Sequence, residues 1–304
     1  MTYGEAVRGL DYRWLEALDQ IILQRSFEKA AAVLCVSQSA VSQRIKQLEK
    51  WLAQPVLVRE NPPRVTPAGQ KLLGLYRQVC VLEQDILPDL SNDIGEKPIS
   101  ISIATNADSL ATWLLPAIEE AMKQSNLEIH LVVDDERRTL DKLKNGEVIG
   151  AISQSPRTLP GCNAVLLGDM PYLCVASPDF YRRYFPLGVS IQTLQAAPAV
   201  AFDRQDFINE RFVYDNFGFE MVSEIKHTVG SSEACVKAAV AGFGYCMIPK
   251  IQIAEELEKG LLMDITPGMY IDQKLYWHHW QLETGSLKKC SQALVEYARK
   301  NLPQ

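Results

Sequence analysis

Residues 37–52 read SQSAVSQRIKQLEKWL, and this stretch decides the fold predicted for the N-terminal part of the chain. Ser37 is a helix-capping residue type, because its hydroxyl accepts a hydrogen bond from an unpaired backbone N–H of the first turn. An apolar stripe follows at helical spacing and consists of Val41, Ile45, Leu48 and Leu52. The stretch therefore predicts an amphipathic helix that buries one face.

The opposite face of this helix is polar and cationic. It carries Ser39, Gln43, Lys46 and Lys50, with Ser42 at its edge. Hydroxyls and amides can read base edges in a major groove, and lysine neutralises phosphate. An ordinary surface helix with a mixed polar face is the alternative interpretation of the helix taken alone.

The neighbouring segments favour DNA binding. Residues 10–24 predict a packing helix, and residues 27–35 (FEKAAAVLC) predict a helix that a short connection joins to the one at 37–52. This order is the layout of a helix-turn-helix, in which the second helix enters the groove. A short strand at residues 56–58, a turn at 61–63 and two flanking arginines, Arg59 and Arg64, predict a wing.

Residues 27–73 resemble the DNA-binding domain of LysR-type transcriptional regulators. The motifs that carry the resemblance are AA-x-L in the first helix, SQSAVS and IKQLE in the second, LVR in the wing and TPAG after it. Val58 stands where the family commonly has Phe. The resemblance implies a winged helix-turn-helix over residues 1–65 that binds double-stranded DNA. The residues expected to read bases are Gln38, Ser39, Ser42 and Gln43, and those expected to contact phosphates or the minor groove are Lys46, Lys50, Arg59 and Arg64.

A long linker helix is predicted over residues 66–90, with Thr66 as its cap and Pro67 at its first position. Apolar residues repeat there at spacings of three and four: Leu72, Leu75, Val79, Leu82 and Ile86. The repeat predicts a coiled-coil seam of a homodimer, which could pair further into a tetramer, although a core-facing helix would give a similar pattern. We expect Pro88 to end this helix and residues 91–97 to form a hinge.

From residue 98 to 304, strand-like and helix-like segments alternate, which predicts an α/β fold with open sheets. The predicted strands are 99–104, 128–133, 148–153, 172–176, 199–202, 224–229, 245–248 and 274–280. The predicted helices are 109–123, 139–145, 206–217, 232–241 and 251–257. The resemblance implies a periplasmic-binding-protein-like effector domain with two lobes, joined by two crossing strands. Lobe I would comprise residues 98–167 and 270–304, and lobe II residues 168–269.

Candidate effector residues lie where strands end and helices begin. Asn106, Asp108 and Ser109 follow the first strand, and Ser231 and Ser232 precede the helix EACVKAAVA. Free N–H groups and the helix dipole make such places suitable for a carboxylate, although Asn, Asp and Ser are also ordinary capping residues. Asp134 and Asp203 each follow a strand and are candidate partners for a ligand ammonium, or simply loop residues.

The segments NADSLATWLLPA, AVAFD, SSEA, GYCMIP and LYWHHW resemble the branch of the family that responds to arginine and lysine. The resemblance implies a basic amino acid as effector and genes of amino-acid export or metabolism as targets. Its implied pocket consists of Asn106, Asp108, Ser109, Asp203, Ser231 and Ser232. RNA polymerase is a further candidate partner.

The charge distribution agrees with a DNA-binding module attached to an acidic body. The whole chain has a net charge of −6, but residues 25–77 carry +6 and residues 91–304 carry −7. It is the local basic patch that meets phosphate. A nucleoid protein with little sequence preference and an amino-acid binding protein remain the alternative functions.

Other chemistry finds no support in the sequence. The seven cysteines form no C-x-x-C motif, the four histidines have no zinc spacing, and no P-loop, GxGxxG or G-x-S-x-G motif occurs. We therefore expect no catalytic residue, no metal and no cofactor, and we expect buried free thiols rather than disulfides. The absence of a signal-peptide pattern and of a long apolar run predicts a cytoplasmic protein that does not enter a membrane.

Overall fold

The computed structural model describes residues 9–90, 98–124, 126–134, 136–221, 225–283 and 285–304. The hinge predicted at residues 91–97 lies outside these ranges. Among the described residues, no helix combines the length and the apolar character that crossing a bilayer requires.

The N-terminal module is held together by three helices whose apolar faces meet. Its elements are α1 (Tyr12–Gln24), α2 (Phe27–Val33), α3 (Gln38–Leu52), β1 (Leu57–Val58) and β2 (Arg64–Val65). The module core includes Leu15, Leu18, Ile21, Ala30, Ala31, Val41, Ile45 and Leu48. Helix α2 ends two residues before the predicted position, because a turn follows in which Cys35 adopts a left-handed backbone with φ of 52°. Strands β1 and β2 pair antiparallel and form the wing.

The linker helix α4 (Pro67–Leu90) begins as predicted, since Thr66 Oγ1 accepts a hydrogen bond of 3.1 Å from Gly69 N. The prediction that Pro88 ends this helix is wrong, because the helix continues to Leu90. The φ of proline is compatible with a helix, and only two helical residues follow Pro88, so little of the helix depends on the hydrogen bond that proline removes. Two residues of the predicted seam, Leu75 and Ile86, are 47% and 44% exposed. These two are therefore not core-facing.

The C-terminal part is organised around one mixed sheet. In the described residues its strand order is β4-β3-β5-β11-β6-β9-β7-β8, with β10 paired to β6. The strands are β3 (Ile99–Thr105), β4 (Leu127–Val133), β5 (Gly150–Ser153), β6 (Cys162–Ala176), β7 (Ala199–Ala201), β8 (Lys226–Thr228), β9 (Tyr245–Pro249), β10 (Met263–Asp264) and β11 (Tyr270–Trp280).

Strands β6 and β11 are longer than predicted and run side by side over their whole common length, from Tyr270 opposite Leu173 to Trp280 opposite Cys162. The sequence prediction placed the start of β6 at residue 172 and that of β11 at residue 274. It missed the first part of β6 because no alternating pattern marks it. Strand β5 joins one end of this pair and β9 joins the other, so the two strands are shared by both halves of the sheet.

The helices of this part depart from the predictions mainly at their starts. They are α5 (Ala107–Ser109), a π-helix (Leu110–Leu114), α6 (Leu115–Gln124), α7 (Glu136–Lys144), α8 (Pro178–Tyr184), α9 (Ile191–Ala196), α10 (Ile208–Phe217), α11 (Ser232–Val240), a 3₁₀ turn (Lys250–Gln252), α12 (Ala254–Glu258) and α13 (Gly285–Asn301). Three of them, α8, α9 and α13, have no counterpart among the predicted helices. The lobe division at residues 98–167, 168–269 and 270–304 stays a prediction.

Candidate functional site

The predicted DNA-reading residues lie together on the N-terminal module. Ser37 caps α3, its Oγ accepting a hydrogen bond of 3.2 Å from Ala40 N. The stripe of Val41, Ile45 and Leu48 is fully buried, which turns the polar face outward. The eight predicted residues are all solvent-accessible: Gln38, Ser39, Ser42, Gln43, Lys46, Lys50, Arg59 and Arg64.

The cations of this surface differ in their local partners. Arg59 lies 3.8 Å from Glu49, and Arg64 pairs with Glu60 at 2.6 Å. Both arginines are more than half exposed, so these pairs add little free energy and do not prevent a contact with phosphate. In the part of the chain that the structure describes, Lys46 and Lys50 form no ion pair.

A cleft of about 650 Å³ lies in the C-terminal part, where the carboxyl ends of several strands meet helix starts. It brings together five of the seven predicted effector residues, which come from distant parts of the chain: Asn106, Asp108, Asp134, Asp203 and Ser232. Ligands of α/β sheets bind in such crevices.

Ser109 and Ser231 do not line this cleft. Ser109 is fully buried behind the cap, where its backbone N donates to Asn106 Oδ1 at 2.9 Å. Ser231 caps α11, with its Oγ accepting from Ala234 N at 3.3 Å and donating to Glu233 at 2.8 Å. For Ser231 the structure supports the capping interpretation over ligand contact. Ser109 neither caps the helix nor lines the cleft, because Asn106 is the cap.

Asp108 accepts a side-chain hydrogen bond on each of its two carboxylate oxygens. Its Oδ2 accepts a hydrogen bond of 2.5 Å from the Tyr172 hydroxyl, and its Oδ1 accepts one of 2.6 Å from the Ser232 hydroxyl. Desolvation raises the pKa of Asp108; the two hydroxyls oppose this shift, while the carboxylates of Asp206 and Glu233 add to it. A carboxylate is therefore kept here among neutral donors and like charges.

The other acidic residues of the cleft are held in different ways. Asp134 lies 3.7 Å from Arg138 and 3.4 Å from Lys142, so cations of the chain already face it. Asp203 is exposed and accepts a hydrogen bond of 2.7 Å from Gln205 N. Asp206 accepts from the backbone N–H groups of Phe202 at 3.0 Å and Ile208 at 3.1 Å.

Sequence reasoning missed several residues that line the cleft. They include Arg138, Gln154, Tyr172, Asp206, Phe207, Arg211, Gln252 and Gln273. Asp206 carried a usable signal, since it directly precedes a helix near a strand end. Tyr172 carried none, because an aromatic residue inside a strand is most often ordinary core.

The described residues offer no cluster of metal ligands, and most of their cysteines are buried. No group of three or more His, Cys, Asp or Glu side chains could hold a metal ion there. His278 is buried, with Nε2 2.8 Å from Ser155 O. Five cysteines are buried, and burial raises the pKa of Cys290 to about 12. The expectation of buried thiols is wrong for Cys35, which is exposed beside the turn that follows α2.

Comparison with known proteins matches both parts of the chain. Residues 12–70 match the bacterial regulatory helix-turn-helix protein family of lysR type, and residues 98–299 match the LysR substrate binding domain. The HTH-type transcriptional regulator ArgP of Vibrio vulnificus is 58% identical over 298 residues, which cover 98% of this chain and all of that protein.

Two solved structures share the whole fold. The crystal structure of ArgP from Mycobacterium tuberculosis has a TM-score of 0.89 at 32% identity and covers 97% of this chain and 99% of that one. Full-length LysG from Corynebacterium glutamicum, solved with bound effector Arg, has a TM-score of 0.81 at 30% identity over 97% of this chain and 100% of that one.

The ionisation of Asp108 opposes stability, and this makes a testable prediction. Since its folded pKa is raised, the folded state binds the proton more tightly, and this group lowers the free energy of unfolding as pH rises through that pKa. Asp108→Asn should therefore raise the melting temperature of the ligand-free protein at neutral pH, because the free-energy cost of the ionised carboxylate is removed.

This gain should shrink as pH falls and wild-type Asp108 becomes protonated. The charged and titratable groups nearest to it, Tyr172, Asp206 and Glu233, are the same in both proteins. Differential scanning calorimetry at several pH values measures the difference. An Asn variant that is less stable than wild type at neutral pH would contradict this account.

Proposed function

Because this chain belongs to the LysR family of transcriptional regulators, we propose that it binds promoter DNA as a homodimer and that a basic amino acid in its cleft changes this binding. The chain is a transcriptional regulator and not an enzyme, and its helix-turn-helix binds DNA. The proposal concerns the effector, the residues that contact it and the DNA, and the assembly. Genes of amino-acid export or metabolism are the proposed targets.

The charge of the cleft is the observation that carries the effector proposal. Its lining holds four carboxylates, from Asp108, Asp134, Asp203 and Asp206, against the guanidinium groups of Arg138 and Arg211. Arg138 faces Asp134, and Arg211 faces Asp215 outside the lining. An excess of negative charge favours a ligand with a cationic side chain over a neutral or acidic one.

The proposed binding mode places the α-carboxylate of a basic amino acid at one part of the cleft and its side-chain cation at another. The helical run Ala107–Gln124 starts at the cleft. Asn106 accepts hydrogen bonds from Ser109 N and Leu110 N, so the N–H groups of Ala107 and Asp108 are the ones that suit the α-carboxylate. Asp203 and Asp206, which follow strand β7, suit the side-chain cation. The bound arginine of the related LysG supports a basic amino acid as effector.

The DNA-binding mode is proposed from the accessible face of α3. Gln38, Ser39, Ser42 and Gln43 would read base edges, because hydroxyl and amide groups can hydrogen-bond them. Lys46, Lys50 and the wing arginines Arg59 and Arg64 would neutralise phosphate or enter the minor groove. Arg44 is tied to Glu16 at 3.6 Å and is only partly exposed, which suits at most a backbone contact.

The dimer is proposed from the linker helix. Leu75 and Ile86 expose apolar surface on α4, and Leu72, Val79 and Leu82 lie on the same stripe, each partly exposed. A second copy of α4 would cover this stripe, and it would place two recognition helices on one dyad DNA site.

The effector proposal predicts ligand-dependent DNA binding. A promoter fragment selected from genomic DNA by the protein should bind tightly in fluorescence anisotropy, and arginine or lysine should shift the affinity while glutamate should not, because the cleft repels its second carboxylate. A random duplex of equal length is the control. Equal affinity for both duplexes, unmoved by any amino acid, would instead indicate a nucleoid-type protein.

The DNA-binding mode predicts different effects for two residues of α3. Lys46→Gln should weaken binding to all sequences and reduce the salt slope by about one for each subunit of the dimer, because each subunit loses one phosphate contact. Gln43→Ala should cost about 1–3 kcal/mol on the selected duplex and much less on a random one. Lys300→Gln, an exposed change on α13, is the matched control. If Gln43→Ala weakens binding to the selected and the random duplex equally, Gln43 does not read a base.

The dimer proposal predicts that charge on the stripe separates the subunits. Leu75→Lys together with Ile86→Lys should raise the dissociation constant of the dimer by at least about tenfold, since two apolar contacts are replaced by like charges. Sedimentation equilibrium measures the change. Leu187→Lys, at a residue that is 98% exposed, should leave it unchanged. An unaltered dimer in the double variant would place the interface elsewhere.

A further inference from the structure

The carboxylate of Asp108 is placed in a way that capping and packing do not require. Asn106, and not Asp108, accepts the hydrogen bond that caps the helical run. Tyr172 and Ser232, which bind the two carboxylate oxygens, come from β6 and from the start of α11, and both are nearly fully buried. Two separate elements thus converge on one acidic group.

The group has no cationic partner among the described residues. The nearby charges are the carboxylates of Asp206 and Glu233, which disfavour its ionised form. Asp134 differs in this respect, because Arg138 and Lys142 already face it. A partly buried carboxylate among neutral donors and like charges is costly, and such an arrangement is expected where a cation from outside completes it.

The hydroxyls of Tyr172 and Ser232 also determine how many further hydrogen bonds the Asp108 carboxylate can accept. Each carboxylate oxygen can accept about two hydrogen bonds, and one on each is already used. Gln252 Oε1 lies 3.0 Å from Ser232 Oγ, but a hydroxyl has a single proton, and the shorter contact with Asp108 takes it. One acceptor position on each oxygen of Asp108 therefore remains for a ligand donor.

Resting on the proposed amino-acid effector, we infer that Asp108 is the counter-ion of the effector's α-ammonium group. An α-ammonium and an α-carboxylate share one carbon atom, so their binding groups must lie within a few ångströms of each other. Asp108 meets this condition, because it is itself a first-turn residue of the helical run that would receive the α-carboxylate. Asp203 and Asp206 follow strand β7, on another element of the cleft lining, and we assign them to the side-chain cation.

The proposed role of Asp108 can be tested with ligands that differ only in the α-ammonium group. Calorimetric titration of the full-length protein should compare arginine with 5-guanidinopentanoic acid, which is arginine without its α-amino group. Asp108→Asn should weaken arginine binding by about 30-fold or more, because a charge-assisted contact is lost. The same variant should bind 5-guanidinopentanoic acid at least as well as wild type does, because the uncompensated carboxylate is gone.

A matched control and a second ligand sharpen the test. Asp179→Asn, on α8 outside the cleft lining, should bind both ligands as wild type does. Agmatine, which keeps both cations of arginine but lacks its carboxylate, should still lose affinity in Asp108→Asn. Thermal unfolding confirms that each variant is folded.

The possible outcomes separate the two proposals. Wild-type protein that binds neither arginine nor lysine would overturn the proposed effector and this inference together. If wild type binds arginine, but Asp108→Asn weakens both ligands equally or neither, only the role of Asp108 is overturned. Selective loss of the ligands that carry the amino group is the expected result.

Discussion

The antiparallel pairing of β6 with β11 is the constraint on which the C-terminal part depends. One end of the pair carries β5 and with it the strands β3 and β4, and the other end carries β9 and β7. The register shifts between Leu275 and Tyr276, so the pair is irregular between the two attachments. Because β5 is hydrogen-bonded to β11 and β9 to β6, the β6–β11 pair connects the two halves of the sheet that line the cleft.

Asp108 shows how such a cleft can report on its ligand. Its hydroxyl partners come from the shared strand β6 and from α11, so one carboxylate joins three elements around the cleft. Asp108 lowers the stability of the fold when it is ionised without a cationic partner, and a bound cation would supply that partner. Ligand binding would in this way be coupled to the positions of the three elements. Carboxylates in unfavourable surroundings are common at functional sites, and this supports the role proposed for Asp108.

The two functions of the chain are separated by charge as well as by sequence. The basic surface of the N-terminal module suits a polyanion, while the excess of carboxylates in the cleft suits a small cation. The linker helix α4 stands between them and contributes an apolar stripe that the described part of the chain leaves partly exposed. In the proposed function, DNA and the basic amino acid would therefore bind to different parts of the chain and would not compete.

The sequence alone determined the elements whose signals are local. The cap at Ser37, the stripe from Val41 to Leu48 and the start of α4 at Thr66 follow from hydrogen bonding and helical spacing, which a few neighbouring residues carry. The family resemblance supplied the two-part organisation, and the motifs placed Asp108 and Ser232 among the site residues. In contrast, Ser109 and Ser231 had the same local pattern but do not line the cleft, because Ser109 is fully buried and Ser231 caps α11.

Only the tertiary structure decided which of these residues meet. The length of β6 and the contacts of Tyr172 and Ser232 with Asp108 depend on residues far apart in the chain, whose approach no local pattern encodes. Capping and ligand binding also use the same residue types at helix starts, so their distinction requires knowing which side chains share a cavity. Spatial convergence is therefore what the fold adds to the sequence.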